Sequence, residues 1–203
     1  MTAPEITITR QLTETQKEQA ARLFYESFSL KFDHFYWLKG DADKATALLQ
    51  YGMNYQKGMY ALQEERVVGG IALLTGKGGY EHYTFAEVKQ FYGRLKALWF
   101  IFRQFFYHIF SGRHGKDSVH VAELFVEESA RGQGIGTRLL VEAEGYARTL
   151  GRRFLTLDVV DTNVGALRLY QRLGFEIIRT LPTGFFTRGA GFKKVYAMKK
   201  AVD

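Results

Sequence analysis

Apolar residues recur along this chain with two periods, and the switches between them outline the elements. Ile6 and Ile8 alternate with threonines, the two-residue period of a short strand. Thr13 and Gln16 then have capping-box spacing ahead of Ala20, Leu23, Phe24 and Phe28, which fall at helical intervals. The spacing predicts a second, shorter helix over Asp43 to Tyr51 and two strands, Met59 to Gln63 and Val67 to Leu74, joined at Glu64-Glu65-Arg66. The N-terminal portion therefore reads β-α-α-β-β.

Val119 to Val126 is apolar enough for a buried strand, and Gly134 to Leu150 sets Ile135, Leu139, Leu140, Ala143 and Ala147 on one helical face. Phe154 to Val160 repeats the strand pattern. Asn163 to Leu173 reads as a helix stopped at Gly174, and Phe175 to Ile178 and Phe192 to Met198 as the last strands. Strands alternating with helices in this way predict an α/β fold with a largely parallel sheet.

Between the third and fourth strands lies an insertion, approximately residues 77–117. In it Leu95, Leu98, Trp99, Phe102, Phe106 and Ile109 follow helical spacing, and Phe100, Ile101 and Phe105 widen the stripe past an ordinary amphipathic face. The spacing predicts one helix from Thr84 to Phe110 that packs on the domain or on a second subunit as a homodimer contact; an interfacial membrane helix is the alternative. Lys96, Arg103, Gln104 and His108 interrupt the stripe, so a membrane-crossing segment of about 20 apolar residues does not exist and a membrane partner is not expected.

Composition narrows the classes. At 203 residues and 46% hydrophobic content the chain suits one core, and a single domain over 1–203 is expected. Cysteine is absent, which removes disulfides, thiolate metal sites and a Cys-borne acyl intermediate. The other histidines, His34, His82, His108 and His114, lack metal-ligand spacing, so no metal is expected. The N-terminus has no basic segment followed by an apolar one, which makes the cytoplasm the expected location. Net charge is +7, with basic residues such as Arg138, Arg148, Arg152 and Arg153 in excess after Arg131; this suits a phosphate-bearing ligand, and no nucleic-acid-binding motif accompanies it.

The run Leu124-Phe-Val-Glu-Glu-Ser-Ala-Arg131-Gly132-Gln133-Gly134-Ile135-Gly136-Thr137 takes a strand through a glycine-rich turn into a helix. Open backbone N–H groups and the positive helix end meet there, a natural anion site. It is neither a P-loop, lacking the Gly-Lys pair, nor a dinucleotide fingerprint, which would need glycine at Thr137 or Leu139. With Asn163, Ala166, Leu169-Tyr170 and Gly174-Phe175 further on, it resembles the acetyl-coenzyme A signature and the second hallmark helix of the GNAT superfamily of N-acetyltransferases.

That resemblance implies a mixed-sheet α/β domain that transfers acetyl from acetyl-coenzyme A to a primary amine of a small molecule or peptide. It implies that backbone groups of Phe125 and Val126 hold the pantetheine arm and acetyl carbonyl, and that Arg131, Gly132, Gln133, Gly134, Ile135, Gly136 and Thr137 bind the diphosphate. Asn163 would hydrogen-bond the cofactor arm, and Tyr170 would protonate the departing thiolate. Glu128 stands where many members have proline. A non-catalytic acyl-coenzyme A-binding module is the competing reading.

Strand alternation predicts His120, Ala122 and Leu124 on one face and Glu123 on the other. Related enzymes often carry a carboxylate base at the face and depth of His120 or Ala122; here a histidine stands there, and its ordinary pKa near about 6.5 suits proton removal. It either accepts the amine proton, directly or through water, or only hydrogen-bonds at a strand start; Glu123 is the reserve base. Phe32-Asp33-His34-Phe35-Tyr36-Trp37 reads as core, with an ammonium-binding wall as the alternative.

Overall fold

The computed structural model describes residues 5–29, 32–33, 41–76, 78–110, 115–183 and 191–202, with the side chains at 103 and 105–110 excepted. Strand β1 (Ile6–Thr9) leads into helix α1 (Glu14–Ser27) through the expected capping box. Thr13 Oγ1 accepts from the Gln16 N–H at 3.3 Å and Gln16 Oε1 from the Thr13 N–H at 3.0 Å. Helix α2 (Ala42–Gly52) is capped by Asp41, whose carboxylate accepts from the Lys44 N–H at 2.9 Å.

Strands β2 (Gly58–Gln63) and β3 (Arg66–Leu74) form a hairpin whose turn residues Glu64 and Glu65 both have positive φ, 48° and 68°, as a tight two-residue turn demands. The insertion holds two helices where the apolar spacing predicts one, α3 (Phe85–Tyr92) and α4 (Arg94–Phe110). Gly93 separates them at φ 79°, a conformation glycine adopts without strain. A second capping box, Thr84 with Glu87, starts α3.

The chain continues through β4 (Ser118–Val126), α5 (Ile135–Thr149), β5 (Phe154–Val160), α6 (Val164–Arg172), β6 (Glu176–Pro182) and β7 (Lys194–Ala201). The seven strands form one sheet in the order β1-β2-β3-β4-β5-β7-β6. It is mixed, and the largely parallel sheet predicted from the element order is corrected here: β4–β5 is parallel, while β1–β2, β2–β3, β3–β4, β5–β7 and β6–β7 are antiparallel. Two features cause this. The α3–α4 excursion returns the chain to the end where β3 stopped, pairing Leu74 with His120, and β7 inserts between β5 and β6.

Each face of the sheet carries a core. On one, Phe24, Leu48, Leu49, Val88 and Phe100 from the first four helices cover Tyr60, Ala72 and Phe125. On the other, α5 lays Ile135, Leu139, Leu140, Ala143 and Ala147 on Ile71, Val119, Val121 and Leu157, as their spacing predicts. Phe32 belongs to the first core, edge-on to Phe24 at 5.3 Å between ring centroids, and Tyr25 donates to Asp33 at 2.9 Å. His34 to Trp37 lie outside the described residues.

Helix α4 reverses the expectation for its stripe. Among its described side chains Ala97 and Phe100 are the buried ones, at 0% and 1% exposure, whereas Leu95, Leu98, Trp99 and Phe102 are exposed; Phe105, Phe106 and Ile109 of the predicted stripe lie outside the described side chains.

Candidate functional site

The site grows from an irregularity in β4. Val119 and Val121 pack on the α5 side and Ala122 on the α1 side, yet Leu124 and Val126 return to the α5 side and Phe125 to the other. One residue of alternation has slipped, at the register shift where Ala72 pairs with Glu123 and Leu73 with Val121. The face shared by His120, Ala122 and Leu124 in the sequence reading is therefore corrected: His120 and Ala122 face α1, and Leu124 faces α5.

The bulge also sets which backbone groups β4 presents. Glu127 N–H donates to Val68 O at 2.9 Å, and Phe125 stands opposite Gly70. By the alternation of an antiparallel ladder, Phe125 exchanges its backbone groups with β3, while those of Leu124 and Val126 point to the opposite edge, toward β5. The backbone groups of Phe125 are thus committed to β3, and those facing the open edge belong to Leu124 and Val126. Phe125 instead sends its ring into the α1-side core.

On that edge β5 withdraws. The parallel rungs run from Ser118/Phe154 to Val121/Leu157, and among the described residues none follows, although β4 continues to Val126 and β5 to Val160. A wedge opens between the two strands, lined on the β4 side by main-chain amides.

The glycine turn stands at the mouth of the wedge. Gly134 is the left-handed N-cap of α5, φ 80°, with no side chain to satisfy the first turn. Arg138 N–H makes the first intrahelical bond, to Gly134 O at 3.0 Å, so the N–H groups of Ile135, Gly136 and Thr137 precede the ladder. Arg131 lies across the turn, its Nε donating to Val126 O at 3.2 Å, and Gln133 Nε2 reaches Ser129 O at 3.4 Å. A Cβ on Gly136 would meet the Leu169 side chain at 3.4 Å, an ordinary van der Waals contact, so packing alone does not require glycine there. This donor set, backbone N–H groups with one guanidinium, fits a diphosphate.

The basic excess is only partly at this turn. Arg138 donates to Ile6 O at 2.7 Å and ties down β1, Arg148 pairs with Glu144 at 2.5 Å, and Arg152 donates to Lys116 O. These last two lie at the far end of α5.

Helix α6 follows β5, with Asn163 at its N-cap and Tyr170 in the α5-side core. Tyr170 is buried, and its phenol is pushed up to about 12, first by burial and then by the charge of Glu123. It stays protonated at neutral pH, as a proton donor requires. Asn163 caps α6, its Oδ1 accepting from Ala166 N–H at 3.1 Å.

His120 is buried in the zipped part of β4–β5, its Nδ1 3.1 Å from Thr156 Oγ1. Leu155, Leu157 and Val159 pack on the α5 side, so Thr156 and Asp158 share the face of His120. Asp158 is exposed and is the first β5 residue past the last rung. Sequence reasoning singled out neither Asp158 nor the Leu124 amide, because their placement depends on register between strands. No cluster of potential metal ligands occurs among the described residues.

Comparison with known proteins bears on the family and the fold. A stretch of 61 residues is 44% identical to an uncharacterized N-acetyltransferase of Methanocaldococcus jannaschii, covering 30% of this chain and 27% of that protein. The thialysine N-epsilon-acetyltransferase of Mus musculus is 29% identical over 101 residues, 50% of this chain and 59% of its own length. The matched stretches thus span less than two thirds of these relatives. A GCN5-related N-acetyltransferase from Kribbella flavida superposes with a TM-score of 0.62 at 18% identity over 97% of each chain, a likeness of fold. The family model described as Acetyltransferase (GNAT) family matches residues 8–175, and the chain belongs to that family.

Proposed function

We propose that this chain transfers the acetyl group of acetyl-coenzyme A directly to a primary amine. The observation that carries this reading is the wedge between β4 and β5, edged by the amides of Leu124 and Val126 and opening at the uncapped start of α5. Nucleotide phosphates suit the N–H groups of Ile135 to Thr137 with Arg131, and the extended arm suits the strand edge, with the NH2 end of Asn163 as a further donor. The thioester supplies the acyl carbon, whose C–S bond breaks as the C–N bond to the amine forms.

The Val126 N–H is the donor for the carbonyl oxygen as negative charge builds on it. An alkylamine has an ordinary pKa near about 10.4 and attacks only when neutral, so a proton must leave it. In this reading His120 receives that proton, directly or through water, and Thr156 orients its ring. Asp158, on the same face, holds the ammonium form of the acceptor before the proton departs. Tyr170, kept protonated by burial and by Glu123, donates to the departing sulfur.

Calorimetric titration with acetyl-coenzyme A tests the binding half. Affinity should be in the micromolar range for a site of this kind, and Gly134→Glu should lower it at least about 100-fold, since it adds both a strained left-handed residue and a negative charge at the anion site. Thiol release across a panel of amines tests the chemical half. His120→Ala should lower turnover by about 100-fold and remove the acidic limb of its pH profile. An unchanged profile would reject His120 as the base, and binding without thiol release from any amine would reject catalysis.

A further inference from the structure

Helix α4 has two apolar faces, and the protein closes over one of them. Ala97 and Phe100 are sealed against the α1-side core, Phe100 meeting Tyr83 edge-on at 5.3 Å between ring centroids. The opposite face carries Leu95, Leu98, Trp99 and Phe102 at the i, i+3, i+4, i+7 spacing of one helical line. Their exposures are 83%, 54%, 38% and 52%, and the Trp99 and Phe102 rings stack with centroids 5.9 Å apart. A single exposed leucine is ordinary; a contiguous line of four large side chains is a patch that marks an interaction surface.

The charges around this line are of one sign. From Thr84 to Phe110 the sequence contains a single acidic residue, Glu87, and its carboxylate accepts from the Thr84 N–H at 2.7 Å within the cap of α3. At about 100° per residue, Arg94 falls on one margin of the apolar line and Lys96 and position 103, also an arginine, on the other. Arg94 and Lys96 are exposed, as is Lys89 on α3. Cations on both margins of an apolar stripe that contains tryptophan are the arrangement of a helix lying in a membrane interface.

We propose that α4 docks this protein on an anionic membrane surface, with the Leu95-Leu98-Trp99-Phe102 line seated at the boundary between headgroups and acyl chains and Arg94, Lys96 and Lys89 on the lipid phosphates. Charge complementarity selects this occupant over a second copy of the chain. A two-fold contact through the same line would bring the cationic margins of two such helices together, and α4 has no acidic residue in its sequence to pair them. The helix lies on the bilayer and does not cross it, since no helix among the described residues is long and apolar enough to do so.

Co-sedimentation of the whole chain with vesicles tests the proposal, using phosphatidylcholine alone and phosphatidylcholine mixed with phosphatidylglycerol. The protein should partition onto the anionic vesicles at least about tenfold more strongly than onto the neutral ones, and raising the ionic strength to about 0.5 M should remove most of that preference. Leu98→Asp combined with Phe102→Asp should abolish binding while circular dichroism and acetyl-coenzyme A affinity stay as in the parent. Lys96→Gln with Arg94→Gln should lower the anionic preference and leave the fold intact. Equal or absent partitioning on the two vesicle types would overturn the proposal, as would binding that survives the aspartate pair. So would a dimer in solution that the same aspartate pair disperses, which would assign the face to a second copy.

Discussion

Helices α5 and α4 are both read from the same apolar period, and they use it in opposite ways. In α5 the periodic line of Ile135, Leu139, Leu140, Ala143 and Ala147 is the buried face. In α4 the periodic line is the exposed face, and the core takes Ala97 and Phe100 from the side opposite. Periodicity states that a helix has an apolar face; it does not say which face the protein chooses when there are two. In α4 the small Ala97 lets the backbone approach the core and Phe100 fills the space against Tyr83, so the side with graded sizes wins over the line of uniformly large residues.

The comparison can be broken most directly within α4. Phe100→Ala should cost about 3–5 kcal/mol, as for other fully buried aromatics, and Phe102→Ala two residues on should change stability by less than about 0.5 kcal/mol. Leu139→Ala in α5 should cost about 2–5 kcal/mol. Urea unfolding measures all three, and equal costs at Phe100 and Phe102 would mean that the exposed line is covered in solution.

A second contrast concerns tyrosines. Tyr170 is buried at the wedge with its phenol pushed up to about 12. Up to about pH 10 both folded and unfolded chains keep this proton; above it the unfolded chain releases the proton while the folded chain holds it. Stability should therefore fall by roughly 2–3 kcal/mol between about pH 10 and pH 12 on account of this group, and the fall should be shallower in Tyr170→Phe. Thermal unfolding monitored across that range gives the slope.

The smallest effect separates the two capping boxes. Thr13→Ala should cost about 1 kcal/mol, because α1 is packed along its length on the sheet. Thr84→Ala should cost less in global unfolding, since α3 buries only Val88 among its own residues. Chemical denaturation of the two variants side by side tests the order.

Much of this molecule was legible from residues alone, for reasons that are local. Thr13 with Gln16 announced α1, Gly134 announced α5, and Asn163 with Gly174 bounded α6, because caps act within one turn. The Thr84-Glu87 spacing and Gly93 carried the same kind of signal for α3, yet the long apolar run masked them. What was not legible depends on partners far along the chain. The antiparallel course of β4 against β3 follows from where α3 and α4 return it, and the bulge near Glu123 follows from β3 register. That single slipped residue decides that Leu124 and not Phe125 offers its amide to the wedge, and it brings Glu123 within electrostatic reach of Tyr170.

The short run of rungs between β4 and β5 has a mechanical meaning. On one side of it lie β1 to β4, on the other β5, β7 and β6, so the continuous sheet is two smaller plates joined by a seam from Ser118/Phe154 to Val121/Leu157 and by the α5-side core that both plates share. A molecule lying along the open edge extends that seam without touching either core, and it should make the plates melt as one. Amide hydrogen exchange would report the joint residue by residue: slow at Phe125 and Glu127, whose protons are shared with β3, and fast at Leu124 and Val126 until the seam is filled.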